Sequence, residues 1–172
     1  MGGGSIVPLQ VAVIEELDKA VFVVFVAYGI RSFRTRDGLA LGAAIGFGFA
    51  ALESTGYALA HVRVNHFYHS LDTVLVTELA RGVLAPFGHG MWTAIVGGVI
   101  FAVARGSRLR SIWALAALGL VIALHAAFDS IDGVKGYVIV SIIGLVPLVW
   151  LWLRADRPFR YLSVLTNTQN CV

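Results

Sequence analysis

Five apolar runs, each long enough to cross a bilayer, constrain this 172-residue chain more than any other feature. A spanning helix needs about 20 mostly apolar residues, because in hydrocarbon the backbone must satisfy its own hydrogen bonds. The runs are roughly Ile6 to Ile30, Leu39 to Val62, Pro86 to Ala104, Ile112 to Phe128 and Tyr137 to Leu153. Charged residues make up only 13% of the chain and the mean hydropathy is +0.83, whereas soluble domains carry about 25% charge. The expected fold is therefore all-α, a polytopic membrane helix bundle of about five transmembrane helices. One further helix is expected in "LDTVLVTELARGVL", residues 71–84, amphipathic and interfacial or re-entrant.

Arginines set the expected orientation. Arg31, Arg34 and Arg36 follow the first run, Arg105, Arg108 and Arg110 separate the third and fourth, and Arg154, Arg157 and Arg160 follow the fifth. The other two connections are poor in uncompensated base. By the positive-inside rule the clusters are cytoplasmic, which puts the N-terminus outside and the C-terminus in the cytoplasm. The same clustering accounts for the pI of 9.4 without a nucleic-acid partner. "MGGGS", residues 1–5, has the composition of a flexible linker, residues 6–160 form one membrane domain, and 161–172 are a tail. No basic segment precedes the first run, so a cleaved signal peptide is not expected. The lone Cys171 leaves no internal disulfide to form.

Against this apolar background the ionisable residues stand out. Glu15, Glu16, Asp18 and Lys19 lie in the first run, Glu53 in the second, His89 in the third, and His125 and Asp129 in the fourth. At 1.5 Å rise per residue, Glu16 lies roughly 22 Å from Arg31, Glu53 roughly 25 Å from Arg36, His89 roughly 24 Å from Arg105, and His125 roughly 22 Å from Arg110. Four helices of alternating direction thus bring polar groups to one level in the outer half of the bilayer. The spacings Glu15/Lys19, Glu16/Lys19 and His125/Asp129 keep each set on one helix face. Gly42, Ala43, Ala44, Gly46, Gly48 and Ala50, including a G-x-x-x-G at Gly42 and Gly46, permit the close helix approach that would join them. Charged groups inside a membrane are costly and mark functional sites.

At these positions the sequence resembles a known family. "EELDK" at Glu15 to Lys19, "DGLALGAAIGFGFAALE" at Asp37 to Glu53, "RGVLAPFGHGMWTAIVGG" at Arg81 to Gly98 and "HAAFD" at His125 to Asp129 are similar, in order, to the motifs of the PrsW family of intramembrane proteases. That pattern is E-E-x-x-K, F-x-x-x-E in a Gly/Ala-rich helix, a His following a Pro, and H-x-x-x-D; the CAAX-processing (Abi) endopeptidases are related. The resemblance implies a protease domain over residues 6–160, with Glu15, Glu16, Glu53, His89, His125 and Asp129 as the catalytic layer. It further implies that Phe49 packs one turn below Glu53. Lys19 would be a charge partner or a member of the site, and Arg81 a supporting or substrate-facing residue. A membrane-protein substrate and a multi-pass location in a prokaryotic cell membrane follow from the same resemblance.

Two chemistries suit these residues. Peptide hydrolysis needs an activated water, a polarised carbonyl and a proton for the leaving amine. In one route Glu16 or Glu53 is the base and His125 with Asp129, or His89, stabilises the oxyanion. In the other, Glu53, His89 and His125 hold a single divalent metal such as zinc, and Asp129 orients His125. His61, His66 and His69 lie in the outer loop region and are expected to be mostly solvated. A proton-coupled transporter or channel subunit and a non-catalytic, partner-binding relative are the alternatives. The off-centre polar layer and the lack of repeats argue against the transporter.

Overall fold

The structure, a computed structural model, describes residues 6–30, 34–64, 88–104, 108–131 and 134–155. These residues form five α-helices and, among them, no strand: α1 Ile6–Ala27, α2 Thr35–Val64, α3 His89–Ala104, α4 Arg108–Ser130 and α5 Val134–Arg154. The helix expected over 71–84, with Arg81, His66 and His69, lies outside the described residues, as does the side chain of His61.

Segments Thr35–Gly56, Ile112–Ser130 and Gly136–Arg154 are long and apolar enough to cross a membrane. α1 is as long, but Glu15, Glu16, Asp18 and Lys19 interrupt its apolar character. It ends where Gly29 adopts φ +99°, a left-handed turn that lets the Ile30 N–H reach back to the Ala27 carbonyl at 3.0 Å. α3 has only 16 residues, and from Gly90 to Val99 every one of them is buried. A helix that is apolar all round belongs in the middle of a bundle, and α3 takes that place, touched by α1, α2, α4 and α5.

Glycine explains how tightly α2 lies on α3. A Cβ on Gly38, Gly42 or Gly46 would collide with the carbonyl oxygens of Gly97, Thr93 and His89 respectively. One face of α2, repeating every four residues, therefore rests directly on the backbone of α3. Lipid chains are as apolar as the helices, so association depends on such close contact rather than on expelling water. Gly48 and Gly56 face open space and take no part in this seam. On the other side of α3, Met91, Trp92, Ile95 and Val96 join Val121 and Leu124 of α4 and Val140 of α5 in the main apolar core. The outer faces are apolar as well: Phe25, Leu52, Leu115 and Leu153 are each more than 70% exposed. That is the reverse of a water-soluble surface and fits contact with lipid.

Candidate active site

Four helices deliver their ionisable side chains to one cluster. Lys19 on α1 lies at its centre, 2% exposed. Its ammonium donates to Glu16 Oε1 at 2.7 Å and to His89 Nδ1 at 2.7 Å, and stands 3.6 Å from Glu15 Oε2. The Phe49 ring, from α2, lies beneath the same ammonium at 4.3 Å. A buried lysine is tolerated only when opposite charge and acceptors surround it. Here two carboxylates, an imidazole and an aromatic face do so.

The hydrogen-bond partners fix the imidazole roles. An ammonium can only donate, so Nδ1 of His89 accepts from Lys19. The Nε2–H of His89 then faces Glu53 Oε2 at 3.0 Å. His125 sits deeper, 2% exposed, with Nδ1 2.9 Å from the same Glu16 oxygen that Lys19 holds. A carboxylate oxygen accepts, so that nitrogen is the donor. Nε2 of His125 then lies 3.8 Å from Glu15 Oε2 and 3.4 Å from Asp129 Oδ2. Three acceptor atoms converge there, a set that a shared proton or a metal ion would satisfy.

The residues fit a metal on independent grounds. Glu15, His89 and His125 each offer one donor atom, and the three atoms lie within 4.8 Å of one another. Glu15 Oε2 is buried and has no hydrogen-bond partner among the described residues. Two imidazoles and a carboxylate form a ligand set typical of catalytic zinc. The donor set differs from the one anticipated from sequence, where Glu53 stood with the two histidines. Glu53 instead pairs with Nε2 of His89, and Glu15 turns toward His125. Glu16, its Oε1 held by both Lys19 and His125, is buried and orients those two side chains. Its other oxygen is buried without a partner among the described residues.

Of the residues anticipated from sequence, Glu15, Glu16, Lys19, Phe49, Glu53, His89, His125 and Asp129 all come together here. Asp129 is at the rim, its side chain 35% exposed. Trp92 was not anticipated. Fully buried, its ring stands 5.0 Å from that of His125 and 5.7 Å from that of His89. Phe128 then meets the indole edge-on at 5.5 Å. The spacing of His89 and Trp92, one turn apart on α3, was the available signal. These rings wall the cluster from the core and keep its dielectric low, which strengthens every charge interaction within it.

No curated protein and no solved structure matches the chain. The family described as PrsW family intramembrane metalloprotease matches residues 4–152. With that match over most of its length, on top of the buried Glu–His–Lys cluster between apolar helices, the chain belongs to the PrsW family of intramembrane metalloproteases.

Proposed function

We propose that this protein is a metal-dependent endopeptidase that cuts membrane-protein substrates near the extracytoplasmic face of a prokaryotic cell membrane. All five helices cross the bilayer in this reading, with the N-terminus outside and the arginine clusters in the cytoplasm. The observation that carries the proposal is the convergence of carboxylates and imidazoles from α1, α2, α3 and α4 on one buried lysine. Such a cluster is too costly in hydrocarbon to be a by-product of packing.

Glu15 and His125 would hold the metal together with His89, whose Nδ1 becomes available once the Lys19 ammonium moves off it while Nε2–H stays on Glu53. The metal would supply a Lewis acid for the scissile carbonyl and a more acidic water. The remaining work falls to the chain. Glu53, partly exposed beside His89, takes a proton from the attacking water and returns it to the departing amine as the C–N bond breaks. Glu16 fixes the ring of His125 through Nδ1, and Asp129 holds the rim side of the same ring. Lys19 balances the charge of the adjacent glutamates and, in the metal-free site, holds the tautomer of His89. Trp92 and Phe49 exclude water from beneath the cluster.

Co-expression with a single-span reporter bearing a cleavable segment just outside the membrane tests this reading. Glu53→Gln is expected to lower cleavage by about a hundredfold or more while the protein still folds. Unchanged cleavage in that variant overturns the assignment of the base. A proton flux through liposomes that vanishes in Glu53→Gln, with no cleavage by the parent protein, overturns the protease reading itself.

A further inference from the structure

Away from the Glu–His–Lys cluster, a crevice of about 560 Å³ opens between α3, α4 and α5. Ile95 and Val99, Trp113 and Leu120, and Pro147 form apolar walls from the three helices in turn. Arg154 is the charged side chain at this crevice among the described residues. Its guanidinium lies over the ring of Trp150, 5.1 Å from the centroid, and no described carboxylate pairs with it. Trp113 and Trp150 are 69% and 54% exposed.

The crevice extends along α3 away from the catalytic cluster, from Ile95, about 9 Å from His89, to Val103, about 21 Å from it, with Arg154 and Trp150 at the distant end. At that end the guanidinium of Arg36 also stacks on a tryptophan, Trp152, at 5.0 Å. Arginine–tryptophan pairs at helix ends mark the headgroup level of a bilayer. An arginine braced by a ring has lost little freedom to bind further, and its N–H groups match the oxygens of a phosphate. The crevice volume of about 560 Å³ is of the order of one long acyl chain. We propose that this crevice binds an anionic phospholipid, one acyl chain lying between α3, α4 and α5 and the phosphate resting on Arg154. A zwitterionic lipid offers the same chain but carries a positive group that offsets its phosphate. Charge complementarity therefore favours the anionic class. The inference concerns a site separate from the catalytic residues and stands whether or not the protein cleaves peptides.

The test uses the full chain, purified and delipidated in detergent, then offered dioleoyl phosphatidylglycerol or dioleoyl phosphatidylcholine, with bound lipid counted by native mass spectrometry. The parent protein is expected to retain one phosphatidylglycerol with about fivefold preference, the equivalent of about 1 kcal/mol for one arginine at a membrane surface. Arg154→Gln, a change at an exposed helix end that leaves the fold intact, should abolish the preference so that both lipids bind alike. Ala116→Phe, which fills the crevice, should reduce binding of both. Equal retention of the two lipids by the parent protein overturns the proposal, as does a preference that survives in Arg154→Gln. Binding that appears only after removal of residues 156–172 would overturn it too, by making the chain's own tail the occupant.

Discussion

Lys19→Met replaces an ammonium by an apolar chain of similar length and so isolates what the charge contributes. The parent Nζ makes two 2.7 Å contacts, to Glu16 and His89, both in surroundings with almost no water. Removing one partner of a buried ion pair leaves the other charge uncompensated, at a cost of about 3–5 kcal/mol. Glu16 would retain only His125 Nδ1 for its charge. For a chain of this size each kcal/mol moves the melting temperature by about 2–4 °C, so the variant should melt roughly 6–20 °C lower. Glu16→Gln should cost a similar amount, because Lys19 then keeps as its nearest carboxylate only Glu15, 3.6 Å away, beside the neutral His89 and the Phe49 ring. The double variant removes both charges and should cost little more than either single one, a coupling of about 2–3 kcal/mol. Thermal unfolding in lipid nanodiscs, followed by tryptophan fluorescence, measures all three. A nitrogen NMR spectrum of the His89 ring adds an independent readout, since loss of the Lys19 donor frees its tautomer. A Lys19→Met cost under about 0.5 kcal/mol, the size of a surface substitution, refutes the argument, and so do strictly additive costs.

The glycine seam yields a paired prediction: Gly42→Leu should destabilise by about 1–3 kcal/mol through overpacking against Thr93, and Gly48→Leu, facing open space, by less than about 0.5 kcal/mol. Equal melting temperatures for the two would show that α2 does not rest on α3 here. Zinc content of the purified protein should fall at least tenfold in Glu15→Gln and His125→Ala and by less in Glu53→Gln, which touches the ion only through His89. The reverse order for the two glutamates would restore Glu53 to the ligand set. Cleavage that persists after complete removal of metal by a chelator would leave the carboxylates to act alone.

Much of this architecture was legible because two periodicities were strong. Apolar runs of membrane length marked the helices, and the polar residues interrupting them, counted back from the arginines, fell at one depth before any fold was known. What the sequence did not carry was rotation about each helix axis. Glu15 and Glu16 are neighbours, about 100° apart around α1, and only the packed bundle decides that Glu16 takes the close contacts to both Lys19 and His125 Nδ1 while Glu15 stands near His125 Nε2. The exchange of Glu53 for Glu15 in the donor set is a consequence of that rotation. The α2 glycines were recognised at Gly42 and Gly46, but Gly38 and its partner Gly97 were not. Their role depends on a contact between segments far apart in the chain. Nothing in the sequence beyond its spacing from His89 set Trp92 apart from its apolar neighbours, yet its ring lies beside both imidazoles.

With three carbonyls of α3 against bare backbone on α2, sliding one helix along the other would drive side chains into main chain. Glu53, Phe49 and His89 are thus held in one register. In the proposed reaction, room for a polypeptide would then come from displacing α1 or α4, which carry Lys19 and His125. Such a displacement would also change the contacts of those two residues to His89 and Glu16, and so couple substrate entry to the arrangement of the proton-handling groups.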